Sequence, residues 1–201
     1  MELVETTLDL GGFVIRIVHP PDPVDLIDEK AFEREEFLPY WAELWPSAVA
    51  LARVVAGSRL RGISVLELGC GLALPAIAAA LGGARVLATD WSPDALLFAQ
   101  RNAERNGAVL ETALAAWTDA AELIERGSWQ LVLAADVLYE RRNVEPLLAL
   151  LPQLAPEVLL ADPGRPAMRA FLEGAAERWQ VTEAPAPELP RGGVFRLLAR
   201  E

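Results

Sequence analysis

Glu67 stands two residues before Gly69 in the run Glu67-Leu68-Gly69-Cys70-Gly71. A carboxylate at such a turn would repel a pyrophosphate and suits a ligand that carries positive charge. Gly69 and Gly71 let the backbone turn sharply and come close to that ligand. A second carboxylate, Asp90, follows Gly71 by 19 residues. At the end of the next strand, an acidic residue in this place accepts hydrogen bonds from ribose hydroxyls. A third, Asp136, opens Asp136-Val137-Leu138-Tyr139-Glu140. A carboxylate there can accept a hydrogen bond from an amine, and an aromatic wall attracts a cationic side chain. Plainer readings exist for the same residues. Two glycines after a strand often form only a tight strand-to-helix turn. Tyr139 would also serve as ordinary core packing. A dinucleotide fingerprint fails, because Leu74 stands where its third glycine belongs.

The elements around these residues alternate. Ser64–Leu68 reads as a buried strand, and the uncharged, Ala-rich Leu74–Leu81 as a buried helix. The second strand is Ala84–Asp90. Ser92 caps the next helix, Pro93 starts it and Asn106-Gly107 stops it. Val109–Ala115 is a third strand, Asp119–Arg126 a short helix, and Trp129–Ala135 a nearly all-apolar fourth strand. A helix over Asn143–Leu154, a fifth strand over Glu157–Ala161 and a helix over Arg165–Arg178 come next. Gln180–Glu183 and Val194–Ala199 read as a terminal hairpin. Alternation of this kind gives a mostly parallel sheet with helices on both faces. Upstream, Leu3–Leu10 and Phe13–Val18 flank Gly11-Gly12 as a hairpin. The acidic residues 24–38, with Phe32 and Phe37, suit a short helix or a lid. Pro46 opens a helix with Ala48, Leu51, Ala52 and Val55 on one face, closed by Gly57. Trp41 and Trp45, one turn apart if helical, would close over a cofactor or staple the chain to the first strand.

A chain of 201 residues is expected to form one domain with a sizeable core. With 18 basic against 29 acidic residues it carries a net charge of −11. Such a surface disfavours nucleic acids and anionic membranes and attracts cationic partners, or serves only solubility. Cys70 is the single cysteine, so no intramolecular disulfide can form, and His19 is the single histidine, which leaves no zinc cluster. No secretory signal or membrane span is expected from the apolar runs. A reducing cytoplasm fits these features, and a monomer or weak dimer is expected.

Glu67-Leu-Gly-Cys-Gly resembles the first motif of the seven-strand methyltransferases that use S-adenosyl-L-methionine (SAM), with Ala73 where that motif usually has a third glycine. Pro39-Tyr-Trp-Ala-x-x-Trp-Pro46, Ala135-Asp-Val-Leu-Tyr-Glu140 and Ala161-Asp-Pro-Gly-Arg165 extend the resemblance. They place the chain, over roughly residues 39–165, beside the methyltransferase-16-like lysine methyltransferases, which include enzymes acting on the β-subunit of electron transfer flavoprotein. Ser47-Ala48 stands where the flavoprotein-directed enzymes commonly have Gly-Gly.

The resemblance implies an α/β fold: a Rossmann-like, doubly wound seven-stranded sheet, mostly parallel with the last strand antiparallel. Residues 1–57 would be an N-terminal hairpin and helical extension with a lid, and 58–201 the SAM-binding core of one domain. It implies SAM as cofactor, S-adenosyl-L-homocysteine as product and a protein lysine as acceptor. The cofactor residues would be Trp45, Glu67, Gly69, Cys70, Gly71, Asp90, Trp91, Trp117 and Ala135; Asp136 and Tyr139 would be catalytic. Trp91 would pack on adenine or be a core or surface tryptophan. Ala116 takes the place of the aspartate that often meets the adenine amine, so backbone groups and Trp117 remain for the base. Val137 and Leu138 replace the prolines that base-directed amino-methyltransferases carry here, which argues against a planar base as acceptor. A small-molecule methyltransferase and an inactive binding module are the other readings.

Overall fold

The computed structural model describes residues 3–22 and 39–200. The segment read as a short helix or lid, 24–38, lies outside the described residues. Nine strands and six α-helices are described in the rest: β1 (Val4–Asp9), β2 (Val14–His19), α1 (Pro46–Ala56), β3 (Ser64–Leu68), α2 (Leu74–Leu81), β4 (Arg85–Asp90), α3 (Pro93–Arg105), β5 (Glu111–Leu114), α4 (Ala121–Glu125), β6 (Leu131–Ala135), α5 (Val144–Leu154), β7 (Glu157–Asp162), α6 (Pro166–Ala175), β8 (Trp179–Ala184) and β9 (Gly193–Ala199).

β1 and β2 pair as the expected hairpin. The other seven strands form one sheet in the order β5-β4-β3-β6-β7-β9-β8. β3, β4, β5, β6 and β7 run parallel, and β9 runs antiparallel to both its neighbours. The seven-stranded sheet with an antiparallel last strand is therefore borne out. The terminal hairpin does not simply add to the edge: β9 slips between β7 and β8, so β8 becomes the edge strand. The interior position suits β9, whose Val194, Phe195 and Leu197 are all buried. β3 and β6 are buried on both faces and apolar apart from Ser64 and Glu67, as suits strands covered on both sides.

Two hydrophobic clusters sandwich the sheet. One joins the hairpin, α1, α2 and α3; the other joins α4, α5 and α6. The hairpin is tied down by asparagine side chains of α3 and its C-terminal cap. Asn102 accepts from Val18 N at 2.8 Å and donates to Val18 O at 3.2 Å; Asn106 pairs in the same way with Arg16, 2.8 Å each way. Asn102 Nδ2 also donates to Leu72 O at 3.2 Å, so this buried amide links the hairpin to the glycine turn after β3. Asn102 thus does more than lie near a helix end, the only signal its neighbourhood carried in sequence.

The order reverses at β3: its chain goes out to β4 and β5 on one side, and β6 lies on the other. In an open α/β sheet, ligands bind beyond the carboxyl ends of the strands at such a switch point.

Candidate active site

A cavity of about 270 Å³ opens at that point, beyond the carboxyl ends of β3, β4 and β6. Its walls come from the glycine turn after β3, the end of β4, the Asp136–Glu140 loop after β6, Trp117, and the segment from Tyr40 to Ala48.

One half of the cavity is held by backbone groups. Gly69 and Gly71 have φ of +65° and +49°, the left-handed region in which glycine costs least. Ala73 adopts φ 60° and ψ 30° just before α2, so alanine at this motif position takes a glycine conformation. Asp90 binds this turn: its Oδ2 accepts from Gly71 N at 2.9 Å and its Oδ1 from Ser92 N at 2.9 Å. Ser92 caps α3 by accepting from Ala95 N at 3.4 Å, as expected. Glu67 is buried, and its Oε2 accepts from Ala76 N, in the first turn of α2, at 2.9 Å. Burial pushes the Glu67 carboxyl well above its ordinary pKa. The Ala76 bond opposes this, and the charge of Asp90 adds to it. Asp90 is also raised, by burial first, with the bonds from Ser92 and Gly71 opposing. Burial, then Asp90 and Glu67, likewise raises the Cys70 thiol, so this cysteine is not primed as a nucleophile.

The other half is held by side chains from distant parts of the chain. Asp136 sits in the left-handed region at φ 58°, anchored by its own N–H to Ala161 O at 2.9 Å. Aspartate is among the few residues that tolerate this conformation. Its Oδ1 accepts from Arg165 Nε at 2.5 Å and its Oδ2 from Ser47 Oγ at 3.2 Å. Arg165 in turn lies over the Trp45 ring, 5.8 Å from its centroid. Asp162, fully buried at the end of β7, aims Oδ1 at the N–H groups of Gly164 and Arg165, at 2.8 and 2.7 Å, and so shapes the turn that presents Arg165. Its Oδ2 has no hydrogen-bond partner among the described residues, and burial raises its pKa. Aromatic rings complete the wall. Tyr139 lies 5.7 Å from Tyr40 and meets Trp117 edge-on at 6.4 Å, and Tyr40 lies 6.2 Å from Trp45.

The eleven residues expected to bind the cofactor or act in catalysis all line this one cavity: Trp45, Glu67, Gly69, Cys70, Gly71, Asp90, Trp91, Trp117, Ala135, Asp136 and Tyr139. Trp91 is 44% exposed, so a purely core role for it is excluded. The two tryptophans are not one helical turn apart. Tyr40–Ala42 forms a short 3-10 turn, and Trp45 is extended at φ −66°, ψ 140°. Pro46 forces that, because a residue before proline avoids the helical region. Trp41 packs on Phe98 of α3 at 5.2 Å, while Trp45 donates its indole N–H to Tyr40 O at 2.7 Å. Nor is the space beside Gly71 left solely to a ligand. A Cβ there would lie 3.0 Å from Trp41 O, so the glycine also lets the aromatic segment dock. Ser47 and Arg165 were given no role in the sequence reading, although Arg165 ends one quoted motif and Ser47 directly follows another. The adjacency of β6 and β7 was the signal that could have found Arg165, since it places the turn after β7 beside Asp136.

The family profile described as lysine methyltransferase matches residues 36–162. The chain belongs to this family. Among its relatives, the electron transfer flavoprotein beta subunit lysine methyltransferase of Danio rerio is 37% identical over 134 residues, 63% of this chain and 51% of that protein. Its Homo sapiens counterpart is 34% identical over 140 residues, 64% of this chain and 50% of that protein. The chain thus spans about half the length of the curated relatives it matches. In fold it is similar to the magnesium protoporphyrin IX methyltransferase of Synechocystis, solved with bound S-adenosylhomocysteine. That likeness has a TM-score of 0.60 and 16% identity, over 88% of this chain and 97% of the other.

The cavity's chemistry fits the cofactor this family uses. Among the described residues, five carboxylates, of Glu43, Glu67, Asp90, Asp136 and Glu140, line it against the one guanidinium of Arg165. That balance suits an ammonium and a sulfonium and opposes a pyrophosphate.

Proposed function

We propose that this chain transfers a methyl group from SAM to the side-chain amine of a protein lysine. The observation that carries the reading is the joining, in one cavity, of the Glu67–Gly71 turn and Asp90 with Asp136 inside an aromatic wall. The relatives named as protein-lysine methyltransferases support it. When bound, SAM supplies a methyl group on a sulfonium, open to in-line displacement by an uncharged amine. Glu67 would face the cationic end of the cofactor, Asp90 the ribose hydroxyls, and Trp91 and Trp117 the base. Gly69, Cys70, Ala135 and Trp45 would line its bed.

On the acceptor side, each Asp136 oxygen already accepts one hydrogen bond and keeps a second lone pair. Asp136 would take a hydrogen bond from the incoming amine and, with Tyr139 and Tyr40 beside it, draw in the lysine as a cation. Desolvation among the rings then favours loss of its proton to solvent water, leaving the uncharged nucleophile aligned. We place the protein in the reducing cytoplasm, in keeping with a single, buried Cys70.

The test is transfer of labelled methyl from SAM into a cell extract, resolved by size. Label in a protein band is expected. Label only in small solutes would replace the lysine acceptor with a small molecule, and no label at all would mean a binding module.

A further inference from the structure

A second concavity abuts the first. It is a groove of about 410 Å³ lined by Leu138, Tyr139, Arg141, Arg165 and the face of α6 that carries Ala167, Arg169, Ala170 and Glu173. Tyr139 and Arg165 line both, so the two spaces meet across these side chains. Their charges are opposite. Among the described residues, the cavity has five carboxylates and one guanidinium, whereas the groove has three guanidinium groups and one carboxylate. This inversion occurs in a chain whose net charge is −11. The one carboxylate, Glu173, pairs with Arg169 at 2.9 Å, and both side chains are largely exposed, so the pair is held only weakly against a competing anion. Arg141 is exposed and has no ion pair among the described residues. Arg165 spends its Nε on Asp136, and its remaining N–H groups belong to a planar donor fork that suits carboxylates.

From this we infer that the groove binds an acidic segment flanking the acceptor lysine, so that the enzyme selects lysines with Asp or Glu close by in the substrate chain. The proposal rests on the lysine reading above. A lysine enters the acidic cavity past Tyr139, and the polypeptide that carries it crosses the Arg141–Arg169 rim. The neighbouring carboxylates pair there with guanidinium groups. A segment flanked by basic residues would instead meet like charge at the rim, although the rest of the surface would attract it. The local inversion thus opposes the general preference of an acidic protein for basic partners and supplies discrimination at the mouth of the site.

Two dye-labelled peptides test this, identical except that the residues flanking one lysine are Asp and Glu in the first and Asn and Gln in the second. Fluorescence anisotropy in the presence of S-adenosylhomocysteine reads binding, and labelled methyl transfer reads turnover separately. The acidic peptide is expected to bind about tenfold more tightly, the sum of two exposed ion pairs. The gap should close as salt is raised. The double variant Arg141→Glu/Arg169→Glu should erase it with SAM affinity unchanged, and surface changes of this kind leave the fold intact. Equal binding of the two peptides, or a preference that survives in the double variant, overturns the groove. A preference for the acidic peptide with no methyl reaching either peptide or any protein keeps the groove and overturns the lysine acceptor. Methyl transfer without preference does the reverse.

Discussion

Asp90 takes its hydrogen bonds from the backbone N–H groups of Gly71 and Ser92, while Asp136 takes its own from the side chains of Arg165 and Ser47. Glu67 follows Asp90, accepting from Ala76 N. The cofactor half is therefore built by chain geometry: once the turn forms, its donors are in place whatever their side chains. The acceptor half is built by residue identity, since a methyl group at position 47 or 165 would remove a donor. Ser47 lies 89 residues from Asp136 and Arg165 lies 29 away. A half made of backbone can serve one invariant cofactor, and a half made of side chains can be retuned for different acceptors.

Gly71→Val should break the contrast most severely, because it strikes the backbone half and the aromatic segment together. A left-handed φ costs a side chain roughly 1–2 kcal/mol, and crowding against Trp41 O adds about 1–3 kcal/mol. SAM binding should be lost, and Tm should fall by roughly 5–15 °C in differential scanning fluorimetry. Unchanged affinity would mean that the turn only packs a helix.

Asp136→Asn sharpens the other side. Asparagine accepts the left-handed backbone, so the fold should hold. Losing charge-assisted acceptance from the amine costs about 1.5–3 kcal/mol, on the order of 10- to 100-fold in acceptor kcat/KM. Arg165→Met should cost less, about tenfold, as one bond of roughly 1.5 kcal/mol. The double variant should be little worse than Asp136→Asn alone, since both act through one pair. Strict additivity in steady-state kinetics would separate Arg165 from Asp136.

The pH dependence of cofactor binding is the mildest probe. Folding raises the pKa of Glu67 and of Asp90. In the free protein their contribution to stability is fully present below the unfolded values and is lost as pH rises through the raised ones. A bound cation favours ionised Glu67, so SAM uptake should release a proton. Affinity should rise with pH by at most about tenfold per unit until Glu67 is ionised. Calorimetry in buffers of differing ionisation enthalpy reads that proton. A flat profile with no release would put Glu67 outside the field of the cofactor's charge.

The same division explains what could be read without coordinates. The glycine turn, Asp90 at its strand end and the Ser92 cap follow from local spacing, and the structure has them in those places. The strand alternation was legible for the same reason, since apolar runs and turn residues are local. The Ser47–Asp136–Arg165 set was not, because its members meet only after β6 and β7 pair and α1 packs against them. The insertion of β9 inside β8 was hidden as well, because a hairpin's pairing does not say which of its strands faces the sheet. The condition under which Trp41 and Trp45 would sit one turn apart fails at Trp45, and Pro46 beside it carried that signal.

Titration calorimetry of SAM against the wild-type chain and against Asp136→Asn tests the central division most directly. Micromolar, one-to-one binding is expected in both, with NAD giving no heat in either. Tight NAD binding without a SAM signal would contradict the assignment of the cavity. Loss of SAM affinity in Asp136→Asn, with normal turnover at saturating cofactor, would move Asp136 into the cofactor half.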